Sequence, residues 1–259
     1  MKWPFSRRES LDDAEMRFLQ AIRTSLSPDL GARIDPWLEQ KGRVRRSAEE
    51  SVMRTEGFMT HSKGPDLYQV AGVRYSVDSR VGCAELCVDG GNLSGITFGP
   101  LGRELFARAE IIEARQYQLP DLQLLSNDYA WLTSRLSEVR LSATGLQASS
   151  ACTQETILDL EWRLGDKLPV SLVEYLTHTS RFRTDSICFD GGLLPRYVFP
   201  WNNDCFIVAD YGNLLRYVFL QRELTDVSFG VFDQSDQEVI FTTPSFESAL
   251  EVLVPQEDE

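Results

Sequence analysis

Histidine and lysine are scarce in this chain: two histidines, His61 and His178, and four lysines stand among 259 residues. Zinc sites draw on histidine and cysteine together, so two separated histidines supply a metal centre poorly, and no metal or organic cofactor is expected. Five cysteines, Cys83, Cys87, Cys152, Cys188 and Cys205, make an odd number without a disulfide framework. In a reducing compartment they are expected as buried thiols. Cys83 and Cys87 are four apart on an expected strand, which turns both to one face and suits core packing better than ligation. No apolar run approaches the ~18 residues that would cross a bilayer. Met1–Ser10 carries Lys2, Arg7 and Arg8 but lacks the apolar core of a secretory signal. A cytoplasmic protein without a membrane partner is the expectation.

Catalytic motifs are also missing. There is no G-x-S-x-G elbow, no H-E-x-x-H, no G-x-G-x-x-G after a strand and no kinase signature. Asp89-Gly90-Gly91-Asn92 reads as a hairpin turn, since it lacks the Lys-Ser/Thr tail of a phosphate loop. His178 can be read as a base beside Cys188, or as a cation at a helix C-terminus; the second reading is preferred. Asp233, Asp236 and Glu238 cluster as oxygen ligands would, but a calcium loop needs more acceptors and a defined glycine. They read instead as a hairpin tip whose exposed carboxylates suit a contact surface.

Charge is present in quantity and unevenly placed. Residues 1–150 hold 19 Lys+Arg against 20 Asp+Glu, whereas residues 151–259 hold 7 against 19. A net charge of −12 in the C-terminal part repels nucleic acid and anionic membrane and attracts basic proteins. The asymmetry implies two domains, expected at 1–145 and 152–254. Between them LSATGLQASSA, residues 141–151, reads as a linker.

The N-terminal part reads as a smaller α+β unit. A helix capped by Ser10, with Asp12 and Asp13 in its first turn, is expected to about Leu26, and a second one capped by Asp35 with Pro36 at its first position. The basic run Lys41–Arg46 reads as a solvated helix end. Strands are expected at 68–77, 84–88, 93–98 and 109–119, and a helix at 127–139.

The most informative stretch is TQETILDLEWRLGDKLPVSLVEYLTH, residues 153–178. Thr153 reads as an N-cap, and Ile157, Leu160 and Leu164 share one helix face. Gly165 is a left-handed stop, and Pro169 opens a second helix with Leu172, Tyr175 and Leu176 on its apolar face. Short β-branched or aromatic runs follow at 196–201, 205–209, 214–221, 227–232 and 239–242, with close connections that favour an antiparallel meander. A closing helix is expected at 244–253.

Leu164-Gly165 and Leu168-Pro169 between two such helices, with Asp210-Tyr211-Gly212-Asn213-Leu214, Val231-Phe232-Asp233 and Pro244-Ser245-Phe246-Glu247 in that order, resemble the SUKH superfamily. Its members include bacterial toxin-immunity proteins and yeast killer-toxin-resistance regulators. The resemblance covers about residues 150–254. One departure is Thr179-Ser180-Arg181-Phe182, which stands where the family often has an Asn-Gly-Gly-like turn. The resemblance implies an antiparallel sheet covered by helices that binds a protein, most readily a basic toxin domain occluded by an acidic face. The residues that fit such a face are Trp201, Asp204, Asp210, Asp233, Asp236 and Glu238. Two other classes stay open: an enzyme or small-molecule-binding protein with its site in the N-terminal part, and a regulatory scaffold. Oligomeric state is left open.

Overall fold

The computed structural model describes residues 11–39, 43–46, 53–56, 68–89, 92–98, 102–121, 123–125, 129–192, 194, 196–197, 205–212, 215–222 and 227–255. Antiparallel sheets and helices make it a mixed α+β protein. The chain forms two compact units that divide between Tyr117 and Gln118.

The first unit opens with α1 (Asp13–Arg23) and α2 (Pro28–Leu38). Asp12, not Ser10, caps α1: its carboxylate accepts from Glu15 N at 3.0 Å while Glu15 Oε2 accepts from Asp12 N at 2.8 Å. Pro28 begins α2, so the expected cap Asp35 lies inside the helix, where it takes Arg23 Nε at 2.6 Å and Nη2 at 3.1 Å. The basic run is not a helix end. Arg43–Arg46 forms strand β1, antiparallel to β2 (Met53–Glu56).

Strands β3 (Tyr68–Val77), β4 (Arg80–Asp89), β5 (Asn92–Thr97) and β6 (Glu110–Gln116) make an antiparallel sheet in the order β5-β4-β3-β6, with α3 (Gly102–Arg108) between β5 and β6 in the chain. One sheet face supplies Val73, Tyr75, Leu86 and Ile96 to a core shared with Phe18, Leu19, Ile34 and Phe106. Alternation along the strands sends Gln69, Cys83, Glu85 and Thr97 to the opposite face, and they too are buried. There Tyr117 donates its hydroxyl to Glu85 Oε1 at 3.1 Å.

The second unit contains α4 (Ala130–Glu138), β7 (Gln147–Ala148), α5 (Gln154–Leu164), α6 (Val170–Leu176), β8 (Phe182–Arg183), β9 (Ile187–Phe189), β10 (Arg196–Tyr197), β11 (Cys205–Tyr211), β12 (Arg216–Arg222), β13 (Val227–Asp233), β14 (Glu238–Thr243) and α7 (Phe246–Leu253). Its sheet runs β14-β13-β12-β11-β9-β8-β7, with β10 also on β11, and the neighbours pair antiparallel. One face carries Val208, Val218, Leu220, Phe229 and Val231 into a core with Leu160, Leu172, Leu176 and Leu250.

The stretch expected as a linker belongs to this unit. Leu141 and Ala148 join its core, as do Leu132, Leu136 and Val139 before them. Ala148 N donates to Leu125 O at 3.1 Å, Ser149 N to Arg181 O at 2.8 Å, and Asp185 N to Thr144 O at 3.0 Å. A polar, small-residue composition reads as a linker, yet here its backbone groups are consumed by neighbouring strands and turns.

Candidate protein-interaction surface

The α5–α6 corner is built by local chemistry. Thr153 Oγ1 accepts from Thr156 N at 3.1 Å, and Gly165 sits at φ 77, the left-handed region that glycine occupies without steric cost. Glu161 closes the turn by accepting from Lys167 Nζ at 2.7 Å and Leu168 N at 3.3 Å. Ile157, Leu160, Leu164, Leu168, Leu172 and Leu176 are all buried in the unit's own core, so the corner spends its apolar faces holding the sheet.

Strand register carries the consequences to the sheet. One row reads Ile187, Tyr211, Arg216, Asp233, Glu238; the next reads Cys188, Asp210, Tyr217, Phe232, Val239. Asp210, Asp233 and Glu238 therefore come to one end of the sheet, with Asp236 in the turn between β13 and β14. Four of the six expected surface residues share that end. Trp201 and Asp204 lie outside the described residues.

The four do not form one patch. Asp233 was expected as an exposed carboxylate, but it is 5% exposed. Its Oδ2 accepts from Arg216 Nε at 2.6 Å, and its Oδ1 accepts from Ser235 N at 2.8 Å and Asp236 N at 3.4 Å. Arg216 reaches on to the α7 carbonyl of Val252 at 3.5 Å. Asp233 is thus a clasp that ties β12, the hairpin turn and the end of α7 together. The Arg216 guanidinium, helped by the two turn amides, holds its carboxyl below the usual carboxylate range against the opposing effect of burial.

Asp210 points the other way. It pairs across the strands with Tyr217, which packs with Phe219 and Phe232 on the sheet face away from α7. Only Asp236 and Glu238 present exposed carboxylates, side by side with exposed Gln234, Ser235 and Gln237.

His178 follows Thr177, the C-cap of α6, and its ring lies parallel to Trp131 with centroids 3.8 Å apart. Its Nδ1 is 3.0 Å from Glu174 O and 3.4 Å from Thr177 Oγ1. Arg135 sits over Trp131 and pairs with both Glu138, at 3.0 Å, and Glu174. Burial, reinforced by Asp210 and Asp190, pushes the Cys188 thiol up to about 11, a direction that favours the thiol over the thiolate.

The sequence reading missed Arg216 and Trp131. For Arg216 a signal existed: it is the one basic residue between Arg196 and Arg222. An arginine alone among strands needs a buried or bridging partner. Trp131 gave no comparable signal, because its partner His178 is distant in sequence.

Among the hollows lined by described residues, one lies in each unit. In the first unit Leu19, Trp37, Leu86, Gly95 and Ile96 enclose about 10 Å³, room for about one water at most. In the second, Val139, Arg140, Leu141, Glu251, Val254 and Pro255 line an open groove of about 380 Å³. Comparison with known proteins finds no matching family model, no similar curated protein and no similar solved structure.

Proposed function

We propose that the protein is a two-domain cytoplasmic protein whose C-terminal domain, of the SUKH type, binds another protein and acts as an immunity factor that occludes a basic toxin domain. The observation that carries this reading is the acidic end of the C-terminal sheet. There Asp236 and Glu238 are exposed on a hairpin whose turn amides are bound by Asp233, which is itself paired with Arg216. Carboxylates held on a hydrogen-bonded turn steer a cationic partner, and a turn already in place lowers the ordering cost at docking. The αα-corner followed by an antiparallel meander and a closing helix supports the SUKH assignment, with the boundary moved to Tyr117–Gln118. Binding in this reading needs no metal or organic cofactor.

The test is genetic and physical together. A basic protein captured on the immobilised chain from its host is expressed with and without it. Growth arrest relieved by co-expression, with capture weakened by salt, is the expected result. Capture indifferent to salt, or a captured protein that is harmless alone, would refute the immunity reading. A small molecule co-purifying with residues 1–117 would instead favour an enzymatic or ligand-binding role there.

A further inference from the structure

The sheet of the C-terminal unit ends at β14, and among the described residues no strand pairs with its outer edge. An open edge is a row of unpaired backbone donors and acceptors, and proteins commonly blunt it with charged side chains, lysine above all, with proline, with a β-bulge or with a covering element. Strand β14 has neither lysine nor proline. Val239 is 41% exposed, and Thr242 and Glu238 are exposed as well. Ile240 and Phe241 pack against the core, which fixes the strand in place. Its one irregularity is the extra residue Ile240, between the pairs Phe232–Val239 and Val231–Phe241.

The chain stretch that forms this edge carries charge of one sign, and Arg216, the cation beside it, is taken up by Asp233. From Glu223 to Glu259 the chain carries ten acidic residues and no lysine, arginine or histidine. Exposed Asp236 and Glu238 stand at the start of β14, and α7, packed beside it, adds Glu247 and exposed Glu251. A second copy pairing edge to edge would bring carboxylates against carboxylates, a like-charge arrangement that opposes self-association. A strand bearing lysine or arginine meets complementary charge instead.

We propose that the β14 edge takes up an extended, cationic segment of a partner protein as an added strand. Backbone hydrogen bonds along residues 239–243 supply the pairing, and Asp236 and Glu238 select for positive charge. The proposal rests on the protein-binding reading above and adds the mode of capture.

The probe is a short peptide alternating lysine and valine, added to the full chain and followed by amide hydrogen exchange. Two companions keep its length: one N-methylated along one strand edge with the charge unchanged, the other with glutamate for lysine. The expected result is roughly tenfold slower exchange confined to outward amides of residues 239–243 with the first peptide and none with the companions. Val239→Pro should abolish this protection, and Asp236→Lys with Glu238→Lys should weaken peptide binding by about an order of magnitude. Circular dichroism of each variant confirms that the sheet is intact. Equal binding of the methylated peptide, protection elsewhere on the chain, or no protection at all would overturn strand addition. Failure here with salt-sensitive capture of a toxin intact would sink only the mode of binding. Protection by the peptide without any toxin partner would sink the immunity reading alone.

Discussion

The α5–α6 corner and the acidic end of the sheet belong to one unit but are held by different forces. In the corner, apolar side chains from Ile157 to Leu176 are buried together, and the polar groups that matter are helix caps. At the sheet end the central contact is polar: Asp233 bridges Arg216 and the turn amides, while Asp236, three residues on, faces solvent. The corner has little left to offer a partner beyond isolated exposed residues such as Val170 and Leu158. The sheet end keeps charge available because one carboxylate is consumed in fixing the others. Density of apolar burial marks the scaffold, and a satisfied buried ion pair marks the support of a surface.

The largest effect that sharpens this contrast concerns how much chain the scaffold needs. Residues 118–259 should fold alone, whereas 152–259 should not, because the shorter piece loses Leu132, Leu136, Val139, Leu141 and Ala148 from its core. Circular dichroism and urea melts of the two fragments decide it; a cooperative transition in the shorter one would restore a boundary within 141–151.

Next in size is Gly230→Ala, in the middle of the sheet. A methyl there runs into the ring of Phe219, its cross-strand neighbour, and should cost about 1–3 kcal/mol by overpacking. A neutral result would mean that the ring shifts freely and the sheet is looser than the corner.

In the corner itself Thr153→Ala removes the cap on Thr156 N and should cost about 1 kcal/mol in denaturant unfolding. Smallest of all are Asp236→Lys and Glu238→Lys, which should change stability by no more than about 0.5 kcal/mol each. A larger loss would show that these carboxylates also support the fold.

Much of the corner was legible because its cues are local. Thr153, Gly165 and Pro169 act within a turn of where they stand, and α5, α6 and α7 fall where the 3.6-residue spacing puts them. The strands β11 to β14 were legible from β-branched and aromatic runs. Asp35 was misread because Pro28 sets the start of α2 and Arg23 claims its carboxylate. The stretch 141–151 was misread because its pairing partners, Leu125, Arg181 and Asp185, lie elsewhere in the sequence. Asp233 and Asp236 look alike in sequence; their separation into inside and outside depends on Arg216, 17 residues away. Local composition reports where charge is plentiful, and tertiary pairing decides which charges remain free to act.

That separation is best tested by the stability of Asp233→Asn compared with the native chain as pH is lowered. The native carboxyl titrates below its ordinary value of 3.8, so its contribution is complete above about pH 5 and is lost as pH falls through the folded-state value. Breaking a largely buried pair with Arg216 should cost about 2–3 kcal/mol at pH 7, since Arg216 is partly solvated. Urea unfolding at pH 7, 5, 4 and about 3 measures it. Asp233→Asn should show a large deficit at pH 7 that shrinks steadily below about pH 4. Asp236→Asn should track the native chain throughout. A deficit independent of pH, or one equal for both substitutions, would contradict the division between a supporting carboxylate and a presented one.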